Sequence, residues 1–243
     1  MPEFDQRLFG EDYLYFWAPL LGDERTEEEV DTVWRVLELE PGMEVLDLAC
    51  GHGRIGNRLA ARGARVTGLD SSRLFIERAR EDAVARGVDV EYIEGDMRSL
   101  QWSDRFDCVL NWFTAFGYFE DDELRRVLAE VRRALRPGGR FLLEHLNLAS
   151  LFPRFRTQSV TERDGNFLLE LRELDAVGGR ILSEYVVVRD GVTRRYPIFV
   201  RLLWPPELRD WLLGAGFSSV DFLGPEGEPL TRESRRLLAV ARV

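Results

Sequence analysis

Apolar residues recur along the chain at two spacings, and the changes between them mark out the elements. Val30, Val33, Trp34 and Leu37 repeat at helical spacing after Thr26-Glu27-Glu28-Glu29, which fits a capping box, and Pro41-Gly42 ends that helix. Residues 45–48 form a short apolar strand, and Gly51 to Gly56 is a glycine-rich turn opening a helix with Ile55 and Leu59. Residues 65–69 make a second strand ending at Asp70. Ser71 caps the next helix, whose apolar face includes Ile76, Ala79 and Ala83. Strands follow at 90–93 and 106–110. Leu124, Val127, Leu128, Val131 and Leu135 mark one face of the clearest helix, Pro137-Gly138-Gly139 stops it, and residues 140–146 form a fifth strand. Strands alternating with helices predict an α/β domain built on a parallel sheet covered on both faces.

The pattern changes on either side of this core. Residues 1–40 read as a helical lead-in carrying the aromatic cluster Tyr13, Tyr15, Phe16 and Trp17. Residues 147–204 contain no good helix and read as an antiparallel β insertion, with turns at Val177-Gly178-Gly179 and Asp190-Gly191. Within it, Leu169 and Leu171 alternate with Glu170 and Arg172, as in a half-exposed strand. Pro205-Pro206 then starts a short helix, and residues 217–223 and 236–243 are two closing strands. The main domain is thus expected over 41–146 and 205–243.

Composition narrows the function. The chain has 243 residues, with 43 acids against 33 bases for a net charge of −10, a poor start for holding a phosphate backbone. All the basic residues are arginine. No apolar run approaches the roughly 20 residues that span a bilayer. Met1-Pro2-Glu3-Phe4-Asp5 lacks the basic start and apolar core of a signal peptide. Cys50 and Cys108 alone make neither a disulfide framework nor a zinc cluster, so a reducing cytoplasm is the expected address.

Gly51-His52-Gly53-Arg54-Ile55-Gly56 matches G-x-G-x-x-G between a strand and a helix, and Asp70 ends the next strand at the distance where an acid meets a ribose hydroxyl. This much suits a dinucleotide or another adenosyl cofactor. Asp47, four residues before Gly51, discriminates between them. A carboxylate there repels a pyrophosphate and favours an amino group or a sulfonium. S-adenosylmethionine has both, with a ribose diol for Asp70. Asp96 would accept from the adenine amino group, and the Met97 backbone N–H would donate to the ring.

The run from Val45 to Gly53 resembles the first motif of the class I S-adenosylmethionine-dependent methyltransferases. Asp70, Gly95-Asp96-Met97, the Asn111 segment and Leu135-Arg136-Pro137-Gly138-Gly139 fall where that family has its later motifs. The resemblance covers residues 44–146 well and the final strands loosely. It implies a Rossmann-like, doubly wound, mostly parallel seven-stranded sheet. It further implies that Asp47 orients the methionine end of the cofactor, that Ala49, Gly51 and Gly53 line it closely, and that Asn111 and Trp112 border the reacting centre. Cys50 and Ser71, as small residues beside these, join the expected cofactor set. His52 departs from the small residue often found between the glycines and reads as a turn residue pointing outward. The aromatic lead-in and the β insertion are closest in plan to glycine- and amino-sugar-type N-methyltransferases, where a tyrosine from the lead-in reaches the cofactor. Tyr13 or Tyr15 matches it.

Methyl transfer is an in-line displacement needing position, dryness and, for a protonated acceptor, a base; it needs no metal. His145, at the end of the fifth strand, is the expected base, with Tyr15 as the second catalytic candidate. Thr114, Phe116 and Tyr118 would shape the acceptor pocket. The insertion has nine arginines against seven acids, +2 where the remainder of the chain carries −12. It therefore reads as a lid favouring acceptors with a carboxylate or phosphate, through Arg154, Arg156, Arg194 or Arg195. The same arginines would equally suit solvated strand faces or the contact of a homodimer. Three other classes stay open at this point. They are an NAD-type oxidoreductase, against which Asp47 speaks, a non-catalytic cofactor-binding protein, and a nucleic-acid methyltransferase. The last is disfavoured by the charge and by the lack of an Asn/Asp-Pro-Pro-aromatic motif after strand four.

Overall fold

In the computed structural model, which describes residues 6–243, a seven-stranded sheet carries most of the chain and a separate four-stranded sheet covers one end of it. The large sheet comprises β1 (Glu44–Leu48), β2 (Arg65–Asp70), β3 (Val90–Glu94), β4 (Phe106–Asn111), β5 (Leu135–Leu146), β10 (Ser219–Leu223) and β11 (Arg236–Arg242). Its order is β10-β11-β5-β4-β1-β2-β3, parallel except that β11 runs antiparallel to both its neighbours. The chain lays β2 and β3 to one side of β1, then crosses to lay β4 and β5 on the other. Such a reversal leaves a crevice beyond the carboxyl ends of β1 and β4.

Helices α2 (Asp23–Val36), α3 (Gly56–Ala61), α4 (Arg73–Arg86), α5 (Asp121–Ala134) and α7 (Pro205–Gly214) sandwich the sheet. In α5 the Glu120 and Glu123 side chains form a reciprocal capping box, Arg132 and Arg133 face the negative end of the dipole, and Leu124, Val127, Leu128 and Val131 are fully buried. Each such side chain contributes about 1.5–3 kcal/mol of transfer free energy. Two local expectations shift. Helix α2 starts at Asp23, and Thr26 is not its cap: it is buried in the first turn with its hydroxyl on the Leu21 and Gly22 carbonyls. The cap of α4 is Ser72, accepting from the Phe75 N–H, which leaves Ser71 elsewhere.

The insertion opens with a one-turn helix that periodicity did not predict, α6 (Leu148–Leu151), capped by Asn147. Strands β6 (Gln158–Arg163), β7 (Asn166–Asp175), β8 (Arg180–Arg189) and β9 (Val192–Arg201) then form an antiparallel meander. Asp190-Gly191 and Asp164-Gly165 make its tight turns, all four residues at positive φ (49° to 76°), where only Gly, Asn and Asp sit readily. In β7 the inward residue is Leu168 (2% exposed), while Leu171 is 40% exposed, so the pattern of that strand runs one residue out of step with the alternation expected.

The aromatic lead-in packs on this second sheet. A 3₁₀ turn (Gln6–Leu8) and α1 (Glu11–Phe16) bury Leu8 and Phe16 against Leu168, Val187, Tyr196 and Ile198. Asp12, itself buried, accepts from the Tyr196 hydroxyl at 2.8 Å and pairs with Arg189 at 3.1 Å and Arg194 at 3.6 Å. The lead-in is tied to the main domain through the Ser72 hydroxyl, which donates to the Phe9 carbonyl at 2.8 Å, and the second sheet through Arg180, which pairs with Glu120, and Arg201, which pairs with Asp121 at 2.8 Å.

Candidate active site

The crevice beyond β1 and β4 holds a cavity built from the turn after β1, the end of β2 and the loop after β4, closed by Phe9 and Tyr13 from the lead-in. The turn is shaped by backbone that ordinary side chains avoid: Ala49, Gly51 and Gly53 all have positive φ, at 60°, 56° and 79°. After β4, Phe113 and Thr114 are two consecutive left-handed residues at 61° and 64°. This strain folds the Phe113 ring over the same cavity.

Asp47 is 2% exposed and its Oδ2 has no hydrogen-bond partner. Burial pushes its carboxyl up to about 7, against the pull of the Arg54 guanidinium and the Gly56 N–H. Arg54 is almost as deeply buried. Glu29 of α2 holds one arm of its guanidinium and also takes the Trp112 indole N–H at 3.2 Å, while the other arm, Nη2, has no partner. One carboxyl oxygen and one guanidinium nitrogen, each without a partner, therefore line one cavity. Asp70 accepts from the Gly51 N–H and the Ser72 N–H, both at 2.8 Å, which fixes its carboxylate at the rim with lone pairs to spare. Burial raises its pKa, opposed by those backbone donors.

Tyr13, Asp47, Ala49, Cys50, Gly51, Asp70, Ser71, Met97 and Trp112, expected from sequence to meet the cofactor, all line the cavity. Others do not. Gly53 faces away: a Cβ on it would meet the Tyr92 hydroxyl at 2.4 Å and the Ala79 side chain at 2.8 Å, so its glycine serves the packing of α4 and β3. Asp96 is gripped through both oxygens by Arg98, at 2.6–3.0 Å, outside the lining. Asn111 is fully buried in the sheet, donating to the Leu48 carbonyl at 2.8 Å.

Neither expected catalytic residue reaches the cavity. His145 is fully buried, its Nδ1 accepts the Leu146 N–H at 2.7 Å, and burial lowers its pKa to about 3. Its strand neighbour Glu144 is the one turned toward the site, bonding Arg236 and the Thr114 N–H. Tyr15 bonds the Arg163 carbonyl and Asn166 of the second sheet, at 3.0 and 2.9 Å. His52, expected to point outward, stands at the cavity mouth near Phe75, with its pKa lowered to about 4 by burial. Arg54 and Phe75 were missed. A charge directly after the second glycine of the turn was the available signal for Arg54; Phe75 sat unmarked on a helix.

A second cavity lies under the insertion sheet and shares the wall Phe9, Tyr13, Phe113 and Tyr118 with the first. Tyr185, Glu170 and Arg172 line it from the sheet, and Thr114 and Arg236 from the main domain. Phe116 is in the core, and Arg194 and Arg195 lie outside the lining, engaged by Asp12 and Glu184. Burial raises the pKa of Tyr13 and of Tyr185, and that of Tyr118 to about 12, so all three phenols keep their protons at neutral pH.

A doubly wound sheet whose switch point opens on a glycine turn, an acid at the end of β2 and an unpaired Asp–Arg couple defines an α/β enzyme for a zwitterionic adenosyl cofactor. The comparisons agree. Residues 45–139 match the model of a family described as a methyltransferase domain. The cypemycin N-terminal methyltransferase of a Streptomyces species is 33% identical over 208 residues, 82% of each chain. The CcbJ methyltransferase structure from Streptomyces caelestis superposes with a TM-score of 0.82 at 25% identity, covering 99% of both chains. CalS10, an amino pentose methyltransferase from Micromonospora echinaspora solved with S-adenosylmethionine bound, shares the fold at 22% identity, with a TM-score of 0.64 and coverage of 90% and 91%. The chain belongs to the class I S-adenosylmethionine-dependent methyltransferases; it is an enzyme, and S-adenosylmethionine is its cofactor. Among the described residues no helix is long and apolar enough to cross a membrane.

Proposed function

We propose that this enzyme methylates a small-molecule amine held in the second cavity, against the cofactor in the first. The observation that carries the reading is the buried couple Asp47 Oδ2 and Arg54 Nη2, both without partners and both on the cofactor cavity. An acceptor oxygen and a donor nitrogen left free on one cavity suit an α-amino acid group, Asp47 Oδ2 for the ammonium and Arg54 Nη2 for the carboxylate. Asp70 has lone pairs left for ribose hydroxyls, and Met97 and Phe119 offer apolar surface to a flat base. When bound, S-adenosylmethionine supplies a methyl group already activated on its sulfonium.

The chain then has to hold, orient and keep dry. Phe9, Tyr13, Phe113 and Tyr118 form the wall common to both cavities, so transfer takes place across it, away from bulk water. Protonated Tyr13 and Tyr118 orient an acceptor by hydrogen bonds and are no bases. Glu170 is the carboxylate on the acceptor lining and is placed to receive the proton an amine loses. His145 and Tyr15 have no part in this scheme. The likeness to an N-terminal methyltransferase and to an amino pentose methyltransferase supports an amine as the acceptor. We place the enzyme in the cytoplasm, where its two buried cysteines remain free thiols.

Calorimetry tests the cofactor assignment at Asp70. S-adenosylhomocysteine should bind, NAD should not, and Asp70→Ala should weaken the former about tenfold or more through lost ribose contacts. Unchanged affinity in a folded Asp70→Ala variant would overturn it.

A further inference from the structure

The acceptor cavity carries positive charge that the fold leaves uncompensated. Four arginines line it, Arg154, Arg156, Arg172 and Arg236, against the single carboxylate Glu170. Two of the four are engaged. Arg172 pairs with Glu170 and donates to the Ser159 hydroxyl at 2.8 Å. Arg236 is held by buried Glu144 and by the Thr114 hydroxyl. The other two lack an acid: Arg154 reaches only the Ser150 hydroxyl, at 3.2 Å, and Arg156 has no ion-pair or hydrogen-bond partner among the described residues. This matters because the chain as a whole carries −10. A local excess of cations in a cleft of an acidic protein draws anions to that cleft.

We infer that the acceptor bears an anionic group, a carboxylate or a phosphate, which Arg154 and Arg156 hold at the outer end of the cavity. The inference rests on the reading of this cavity as the acceptor site. The planar guanidinium forks match either anion bidentately. Phe155 between them, with Leu151 and Ile181, gives apolar surface for the body of the molecule. The group to be methylated then reaches the Tyr13–Tyr118 wall. Arg154 and Arg156 are exposed, so the attraction is screened by salt until the acceptor itself covers them.

The test uses the full-length enzyme saturated with S-adenosylhomocysteine and follows Trp17 fluorescence, since that ring lines the cavity. The probes are matched pairs: 3-phenylpropionate against 3-phenylpropanamide, and phenyl phosphate against phenol. We expect at least one anion to bind about tenfold or more tighter than its neutral partner. The double variant Arg154→Ala/Arg156→Ala should lose that preference while keeping its S-adenosylhomocysteine affinity and melting temperature. The stronger of the two pairs tells carboxylate from phosphate. Neutral partners binding as well as both anions, or a double variant that keeps the preference, would overturn the inference. Failure to bind S-adenosylhomocysteine at all would instead strike the cofactor reading beneath it.

Discussion

A carboxyl buried as deeply as Asp47, with one oxygen unpaired, is a poor place for a charge until a cation arrives. Its pKa of about 7 lies above its ordinary value of 3.8. The empty folded chain therefore holds a proton that the unfolded chain releases, and this contribution to stability fades as pH rises from about 4 to about 7. An ammonium beside Asp47 reverses the preference, since binding then favours the ionised carboxyl. S-adenosylhomocysteine affinity should accordingly rise with pH up to about 7 and level off above, with a slope of at most about tenfold per pH unit. His52, lowered to about 4, stays neutral throughout that window. Titration calorimetry between pH 5.5 and 8.5 checks this, and Asp47→Asn should bind weakly with a flat profile; a slope that survives in Asp47→Asn would assign the proton to another group. Residues such as Asp47, Gly51 and Asp70 were legible in sequence because strand ends and turns fix which way they face. Gly53 and His145 misled because each is decided from elsewhere in the chain, by the Tyr92 hydroxyl and by the strands that enclose β5, and Asp96 because the guanidinium of Arg98, two residues on, folds back onto it.

Helices and strands of the main domain were readable from periodicity, because each buries one face against a neighbour formed nearby in sequence. The lead-in was not, since α1 finds its partners some 180 positions away, as in the bond from Tyr196 to Asp12. That join holds the roof over both cavities, and Asp12 is a polar centre of it. Asp12→Ala removes the carboxylate that the partly exposed Arg189 and Arg194 and the buried Tyr196 hydroxyl share. Breaking a buried pair costs about 3–5 kcal/mol, and solvent at the arginines reduces this to about 1–3 kcal/mol. The variant should stay folded in its main domain, become sensitive to limited proteolysis between residues 9 and 22, and show a raised KM for both substrates. Unchanged proteolysis and kinetics would mean that the apolar contacts of α1 and the bonds of Tyr15 hold it without Asp12.

At the scale of the molecule, the doubly wound order and the position of the crevice followed from the βα alternation, since a reversal of strand order opens a gap wherever it occurs. The second cavity could not be seen this way. Its walls come from the lead-in, the loop after β4, the end of β5, the insertion and β11, five segments that periodicity treats separately. Charge counting found its cations only as a group of four candidates; the fold separates Arg154 and Arg156 from Arg194 and Arg195 by giving the latter pair acids of their own.

The wall of four rings has a kinetic side. On its far flank the cofactor cavity shares Leu21, His52 and Arg54 with an open polar cleft lined by α1, α2, α4 and the turns of the insertion, whereas the second cavity lies under the face of the insertion sheet. With cofactor and acceptor seated as proposed above, each substrate has an opening of its own. Spent cofactor can leave and fresh cofactor enter while the acceptor stays seated, so an acceptor with room for a second methyl group need not depart between turnovers. In stopped-flow measurements S-adenosylhomocysteine should leave the enzyme about as fast with 3-phenylpropionate or phenyl phosphate in place as without; release blocked by the occupied acceptor cavity would show that both molecules share one exit.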